Sequence, residues 1–178
     1  MMITNKNPLN LPIFQSAWVV DDIETACLEW SKKLGIGPFF VNQYGPNEIT
    51  NTTYRGEPGR FEIIVALAQA GQTQIELIQP LINPSIYRDA VKSGQPGFHH
   101  VGAWSYDIES DIERFQELNF PTVTTGAAGE TRFAYFDTRP IIGCMFELVT
   151  ASQEIDAFFA SITDACSNWD GNNPIRYS

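Results

Sequence analysis

Part of this 178-residue chain repeats another part, and the repeat constrains the fold more than any other feature. The triplet Asp22-Ile23-Glu24 returns as Asp107-Ile108-Glu109, 85 positions later. The run Ile75-Glu76-Leu77-Ile78 is echoed by Phe146-Glu147-Leu148-Val149, 71 positions later. A repeated supersecondary unit buries its apolar face against its twin, so the unit has to be defined before a fold is named. In the first copy, residues 14–20 are rich in aromatic and β-branched side chains and predict a strand. It stops at Asp21-Asp22, which suits a helix N-cap. Ile23, Ala26, Trp30 and Leu34 then recur near helical spacing, and Gly35 closes the helix. Strands are expected over 38–44, 60–69 and 73–78, with 45–59, rich in Asn, Pro, Gly and Thr, as a long loop. The second copy begins with a strand over 98–105, a cap at Asp107 and a helix marked by Ile108, Ile112, Phe115 and Leu118. Strands over 120–124, 132–137 and 145–150 complete it. The second offset is shorter because the long loop belongs to the first copy alone.

These readings predict an α+β fold of tandem βαβββ modules, residues 14–80 and 98–150, forming a cupped mixed sheet around a central cavity. Residues 81–97, with Pro84, Pro96 and a short helix, link the two. Residues 151–178 add a helix through Ile155, Phe158, Phe159 and Ile162, then an irregular tail that Trp169 pins to the body.

Composition narrows the partners. Eleven Lys and Arg stand against 21 Asp and Glu, a net charge of −10, which repels phosphate backbones and anionic lipid and excludes nucleic acid and membrane as main partners. The three cysteines, Cys27, Cys144 and Cys166, form no CxxC pair and read as reduced, mostly buried thiols. No apolar run approaches the roughly 20 residues that span a bilayer, and a cytoplasmic protein is expected.

Four polar residues stand on strands where apolar ones belong. Gln15 and His100 are repeat equivalents on the first strand of each copy, and Glu76 and Glu147 are equivalents on the last. A strand glutamate ordinarily faces solvent, but equal placement in both copies argues that these converge. Burying two carboxylates beside an imidazole is costly unless they are paired or coordinate a metal. This donor mix suits one divalent ion, Zn²⁺, Ni²⁺, Co²⁺, Mn²⁺ or Fe²⁺. His99 alternates to the opposite face and reads as structural or as a support to His100. Trp18, Phe39, Phe40, Tyr54, Trp104, Phe133 and Tyr135 are candidates to line the cavity, and Arg55, Arg60, Arg132 and Arg139 to bind a carboxylate or phosphate handle.

The segments FQSAWVVDDIETA, LGIGPFF, QIELIQP, GFHHVGAWSYDIE and FELV, in this order, resemble the signatures of the vicinal oxygen chelate superfamily, in its glyoxalase and methylmalonyl-CoA epimerase branch. The resemblance spans roughly residues 14–150 and implies one metal ligand from each of the first, fourth, fifth and eighth strands: Gln15, Glu76, His100 and Glu147. Epimerases usually carry His at the first of these places. The Gln, Glu, His, Glu set resembles zinc-type glyoxalase I, whereas LGIGPFF and the overall spacing are nearer the epimerase-like branch. The implied activity is removal of a proton next to a carbonyl of a small substrate bound through vicinal oxygens. Glu147, or else Glu76, would be the catalytic base. A homodimer is implied too. The alternatives are a metal-free protein that sequesters a small molecule and, disfavoured by Gln15 in place of a second His, an extradiol-type dioxygenase.

Overall fold

In a computed structural model, which describes residues 10–177, each copy of the repeat folds as strand, helix and further strands. β1 (Ile13–Val19) leads into α1 (Ile23–Leu34), whose N-cap Asp22 accepts the Thr25 amide at 2.7 Å and whose C-cap Gly35 is left-handed at φ 69°. β2 (Phe39–Tyr44), β3 (Ile49–Tyr54), β4 (Glu57–Pro58), β5 (Ile63–Ala70) and β6 (Thr73–Pro80) follow. α2 (Ile86–Ala90) lies in the link between the copies. The second copy runs β7 (Gly97–Ser105), α3 (Ile108–Glu117), β8 (Thr122–Ala128), β9 (Thr131–Phe136), α4 (Arg139–Ile142) and β10 (Met145–Thr150). Asp107 caps α3 as Asp22 caps α1, through the Ser110 amide at 3.2 Å. α5 (Gln153–Ser167) and β11 (Ile175–Tyr177) end the described chain.

All the described strands join one mixed sheet in the order β11-β2-β5-β6-β1-β7-β10-β9-β8-β3-β4. Its centre reads the same from both sides: β2-β5-β6-β1 mirrors β8-β9-β10-β7, and the halves meet where β1 and β7 pair antiparallel. Within each half the first and last strands are parallel neighbours, β1 with β6 and β7 with β10. The repeat in sequence is thus a two-fold relation in space.

Two segments depart from the sequence expectation. The stretch 45–59, expected as a loop, contains β3 and β4, and β3 pairs with β8 of the other half, Ile49 opposite Ala128 and Tyr54 opposite Thr124. Ile-Thr-Asn-Thr-Thr-Tyr is polar on both faces, so it carries little alternation to reveal a strand. The tail is not irregular throughout: β11 lies parallel to β2, Ile175 opposite Phe39. Trp169 packs its ring against Gly37, where an added Cβ would come within 2.9 Å of it.

The route of β3 also fixes the curvature. β2 lies near one end of the strand order and β3 near the other, yet only residues 45–48 join Tyr44 to Ile49. Five Cα steps reach at most about 17 Å, so the sheet curls until its two ends face each other across a cup. On the outer face α1 packs Ile23 and Cys27 on Ala66, Ala68, Ile75 and Leu77. α3 packs Ile108 and Phe115 on Ala103, Phe136 and Leu148, with Phe115 stacked on Phe136 at 4.2 Å. Each such fully buried side chain contributes about 1.5–3 kcal/mol. Inside the cup, α2 and α5 close a third cluster through Tyr87 and Ile162. Cys27 and Cys144 are buried free thiols and Cys166 is half-buried; burial pushes the Cys27 thiol up to about 12. Among the described residues no helix is long and apolar enough to cross a membrane.

Candidate metal centre

The four polar strand residues meet where the two halves join. In the central ladders Gln15 lies opposite Gly102, which lies opposite Glu147; Ala17 lies opposite both His100 and Glu76. Ala17 and Gly102 are repeat equivalents, and their small size leaves the space into which the longer side chains converge. His100 Nε2 stands 3.3 Å from Gln15 Oε1, 3.4 Å from Glu76 Oε2 and 3.1 Å from Glu147 Oε2. Donor atoms of Glu76, His100 and Glu147 all lie within 4.8 Å of one another. Gln74, buried opposite Gln15, accepts the Gln15 Nε2 proton at 2.7 Å and so turns the Gln15 carbonyl oxygen toward the cluster.

His99 does not follow strand alternation. Ala17 pairs with His100 and Trp18 with Phe98, so His99 is the extra residue of a β-bulge. The bulge brings its Nδ1 to 2.9 Å from His100 Nδ1, while its Nε2 lies 3.2 Å from the Ile86 carbonyl on α2. A carbonyl only accepts, so His99 carries its proton on Nε2, and its bare Nδ1 accepts the Nδ1 proton of His100. The other nitrogen of His100 is then left facing three oxygen acceptors. A lone pair among three oxygens calls for a shared proton, on His100 or on a carboxylate, or for a metal ion between them. Glu76 Oε2 is buried with no hydrogen-bond partner, which also fits a ligand held in readiness. The donor set therefore fits a divalent metal.

The electrostatics agree. Burial disfavours a charged His100, but the adjacent Glu147 and Glu76 outweigh it and raise its pKa to about 9. Burial, with the charge of His100, holds His99 well below the usual histidine range and therefore neutral. Burial raises Glu76, partly offset by His100. Tyr87 and Tyr135, hydroxyls 3.3 Å apart, are pushed far up by burial and nearby carboxylates, so both stay protonated.

Above the cluster lies a cavity of about 410 Å³. Gln15, Glu76 and Glu147 form part of its wall, and Phe61, Tyr87, Phe133 and Tyr135 line it with α5, which lays Ile155, Phe158 and Phe159 across it. Of the aromatics singled out in sequence, Phe133 and Tyr135 reach the cavity. Trp18 packs on Trp30 outside the cup, Tyr54 donates to Asp89, and Trp104 backs the lining residue Phe14, rings stacked at 4.0 Å. Gln74, Phe61, Tyr87 and the α5 phenylalanines were not foreseen as site residues. None of the four candidate arginines lines the cavity: Arg55 pairs with Asp89, Arg60 with Glu62, Arg132 with Glu109 and Arg139 with Asp137.

Gly102 offers a direct test of how tightly the donors are set. A Cβ there would lie 2.8 Å from Gln15 Oε1 and 3.2 Å from Gln15 Cβ, and Gln74 restrains the amide from swinging away. Gly102→Ala is expected to weaken metal binding about 10-fold, the effect typical of disturbing a ligand's support. Chelator competition reads the affinity, and an unchanged value would show that Gln15 Oε1 does not contribute.

Residues 14–136 match the family model described as the glyoxalase/bleomycin resistance protein/dioxygenase superfamily. No curated protein matches the chain. Among solved structures it is similar to methylmalonyl-CoA epimerase from Mycobacterium tuberculosis, with a TM-score of 0.57, 17% identity, and coverage of 82% of this chain and 91% of that one. A hypothetical protein from Bacillus halodurans C-125 gives 0.57 at 16% identity, covering 81% and 96%. A Streptomyces coelicolor methylmalonyl-CoA epimerase variant in complex with 2-nitronate-propionyl-CoA gives 0.51 at 15% identity, covering 80% and 99%. At these identities the likeness is one of fold.

Proposed function

The chain belongs to the glyoxalase/bleomycin resistance protein/dioxygenase superfamily, and from that membership we propose that it is a metal-dependent enzyme of the epimerase, isomerase or glyoxalase type. It removes a proton next to a carbonyl of a small substrate that presents vicinal oxygens. The observation that carries this reading is the His100 nitrogen turned by His99 toward the oxygens of Gln15, Glu76 and Glu147. Those four residues would hold one ion, Zn²⁺, Ni²⁺, Co²⁺, Mn²⁺ or Fe²⁺. When bound, the ion supplies Lewis acidity, drawing charge from two adjacent substrate oxygens as a neighbouring proton leaves.

The remaining work falls to the chain. Glu147 takes the proton, and Glu76, its two-fold equivalent on the opposite flank of β1 and β7, is the alternative base. A proton returned to the neighbouring carbon gives isomerisation; one returned to the same carbon from the opposite flank gives epimerisation. Burial raises the proton affinity of Glu76 toward the neutral range that such a shuttle needs. Tyr87 and Tyr135 remain neutral phenols able to donate to a substrate oxygen, and the phenylalanine walls give the cavity an apolar lining. Structures named methylmalonyl-CoA epimerase share this fold, which fits the epimerase side.

A second reading, sequestration without chemistry, is favoured by the aromatic covering from α5. Metal analysis of protein purified without chelator separates the two. The enzyme reading expects one ion per chain and solvent deuterium entering the carbon next to the carbonyl of a 2-hydroxy ketone, 2-oxo acid or acyl thioester. Metal-free protein and no exchange after metal loading would leave sequestration.

We also propose a homodimer, as the family resemblance implies. Its contact would not run through β2 or β8, because β11 covers β2 and β3 covers β8 within the same chain. Light scattering at micromolar concentration is expected to give twice the 19.9 kDa of one chain, and a monomer mass would refute it.

A further inference from the structure

The charges around the cavity restrict what can enter it. Besides Glu76 and Glu147, the charged side chains that line it are Glu48 and Glu154, both carboxylates and both exposed. No lysine or arginine among the described residues lines it. Every described arginine but one is committed to a carboxylate elsewhere: Arg88 to Asp21 and Arg114 to Asp111, beside the four pairs given above. The exception, Arg176, lies over the Phe40 ring at 5.6 Å. Lys32, Lys33 and Lys92 are exposed and outside the lining.

A divalent ion held by two carboxylates has no net charge left for an anionic ligand. A carboxylate or phosphate entering the cup would pass Glu48 and Glu154 at its solvent-facing rim and then meet an apolar wall, with no lysine or arginine among the described residues to offset its charge. The walls offer aromatic faces, which reward flat apolar groups. Resting on the metal-dependent reading above, we propose that the substrate is an uncharged, largely apolar compound, aromatic or alicyclic, bearing two adjacent carbonyl or hydroxyl oxygens. Acyl-CoA thioesters and 2-oxo acids are excluded as the preferred class. The volume of about 410 Å³ fits a molecule of that kind held whole beneath α5.

The test compares three probes on the full chain by titration calorimetry, metal-free and Zn²⁺-loaded, with zinc stoichiometry measured on the same samples. 1-Phenyl-1,2-propanedione is the neutral probe; phenylglyoxylate keeps the ring and the adjacent oxygens but adds a carboxylate; propionyl-CoA is the thioester. The dione is expected to bind at least about 10-fold more tightly than either anion in both forms, and more tightly with zinc than without. Glu154→Lys, a change at an exposed helix position, is expected to strengthen phenylglyoxylate several-fold relative to the dione. An anion that binds as well as the dione, no dione binding in either form, or no response of phenylglyoxylate to Glu154→Lys would each overturn the proposal. Failure of the protein to take up zinc would instead count against the metal reading, while dione binding to the metal-free cavity still decides the substrate class.

Discussion

His100→Ala is expected to weaken metal binding by more than about 100-fold, beyond the range seen when only a ligand's support is disturbed. His100 is fully buried and is the one nitrogen donor, with three oxygens aimed at it. His100→Gln, close in size, serves as the folding control, and circular dichroism should show both variants folded. Chelator competition followed by elemental analysis measures the loss. The same experiment carries a pH signature. Without metal the imidazole is protonated at neutral pH, because its pKa is raised to about 9. An incoming ion must displace that proton, so wild-type affinity should rise about 10-fold per pH unit as pH climbs toward 9 and level off above it. Protonation of Glu76, also raised, acts in the same direction. Affinity that is flat between pH 6.5 and 7.5 would mean that the metal-free His100 is already neutral in that range, against its raised pKa.

Glu147→Gln is expected to cut turnover by about 10²–10⁴-fold, the usual worth of a positioned proton acceptor, while KM changes little. Glutamine keeps an oxygen of the same reach, so the fold and part of the metal affinity survive, but it cannot take and return a proton. Loss confined to kcat marks an interaction made in the transition state. Solvent deuterium exchange into a neutral 2-hydroxy ketone gives a readout independent of product assay and should fail in parallel. Exchange at the wild-type rate in Glu147→Gln would clear Glu147 of the role. A collapse in Glu76→Gln would then give it to Glu76.

Much of this architecture was legible in the sequence because it is written twice. Gln15 and His100 could be singled out because they occupy one place in two copies, as Glu76 and Glu147 do, and the two-fold in space turns each pair into neighbours. What belongs to one copy only was harder to read. β3 has a polar pattern on both faces, and its partner β8 lies some 70 residues away. β11 is three residues long and takes its form from β2. The bulge at His99 shifts one residue out of register, and strand alternation has no term for that. Gln74 looked like an ordinary strand glutamine; only the pairing of β1 with β6 sets it against the Gln15 amide. The α5 aromatics have the spacing of any amphipathic helix, and nothing local says that the surface they cover is a cavity.

The four residues that join β2 to β3 have a consequence for how copies of this protein can relate to one another. Because β3 pairs with β8 of its own chain, trading a half with a neighbour would have to break that pairing and the β1–β7 seam together. Gln15, Glu76, His100 and Glu147 meet within one polypeptide here, and the same is expected of each copy in an assembly. Two inactive versions of the gene product, one altered at Glu76 and the other at His100, could be mixed or made together in one cell, and no hybrid would regain a complete set of donors. Defects at this centre would be strictly additive across an oligomer: a half-mutant dimer keeps half its sites, never none and never a repaired one.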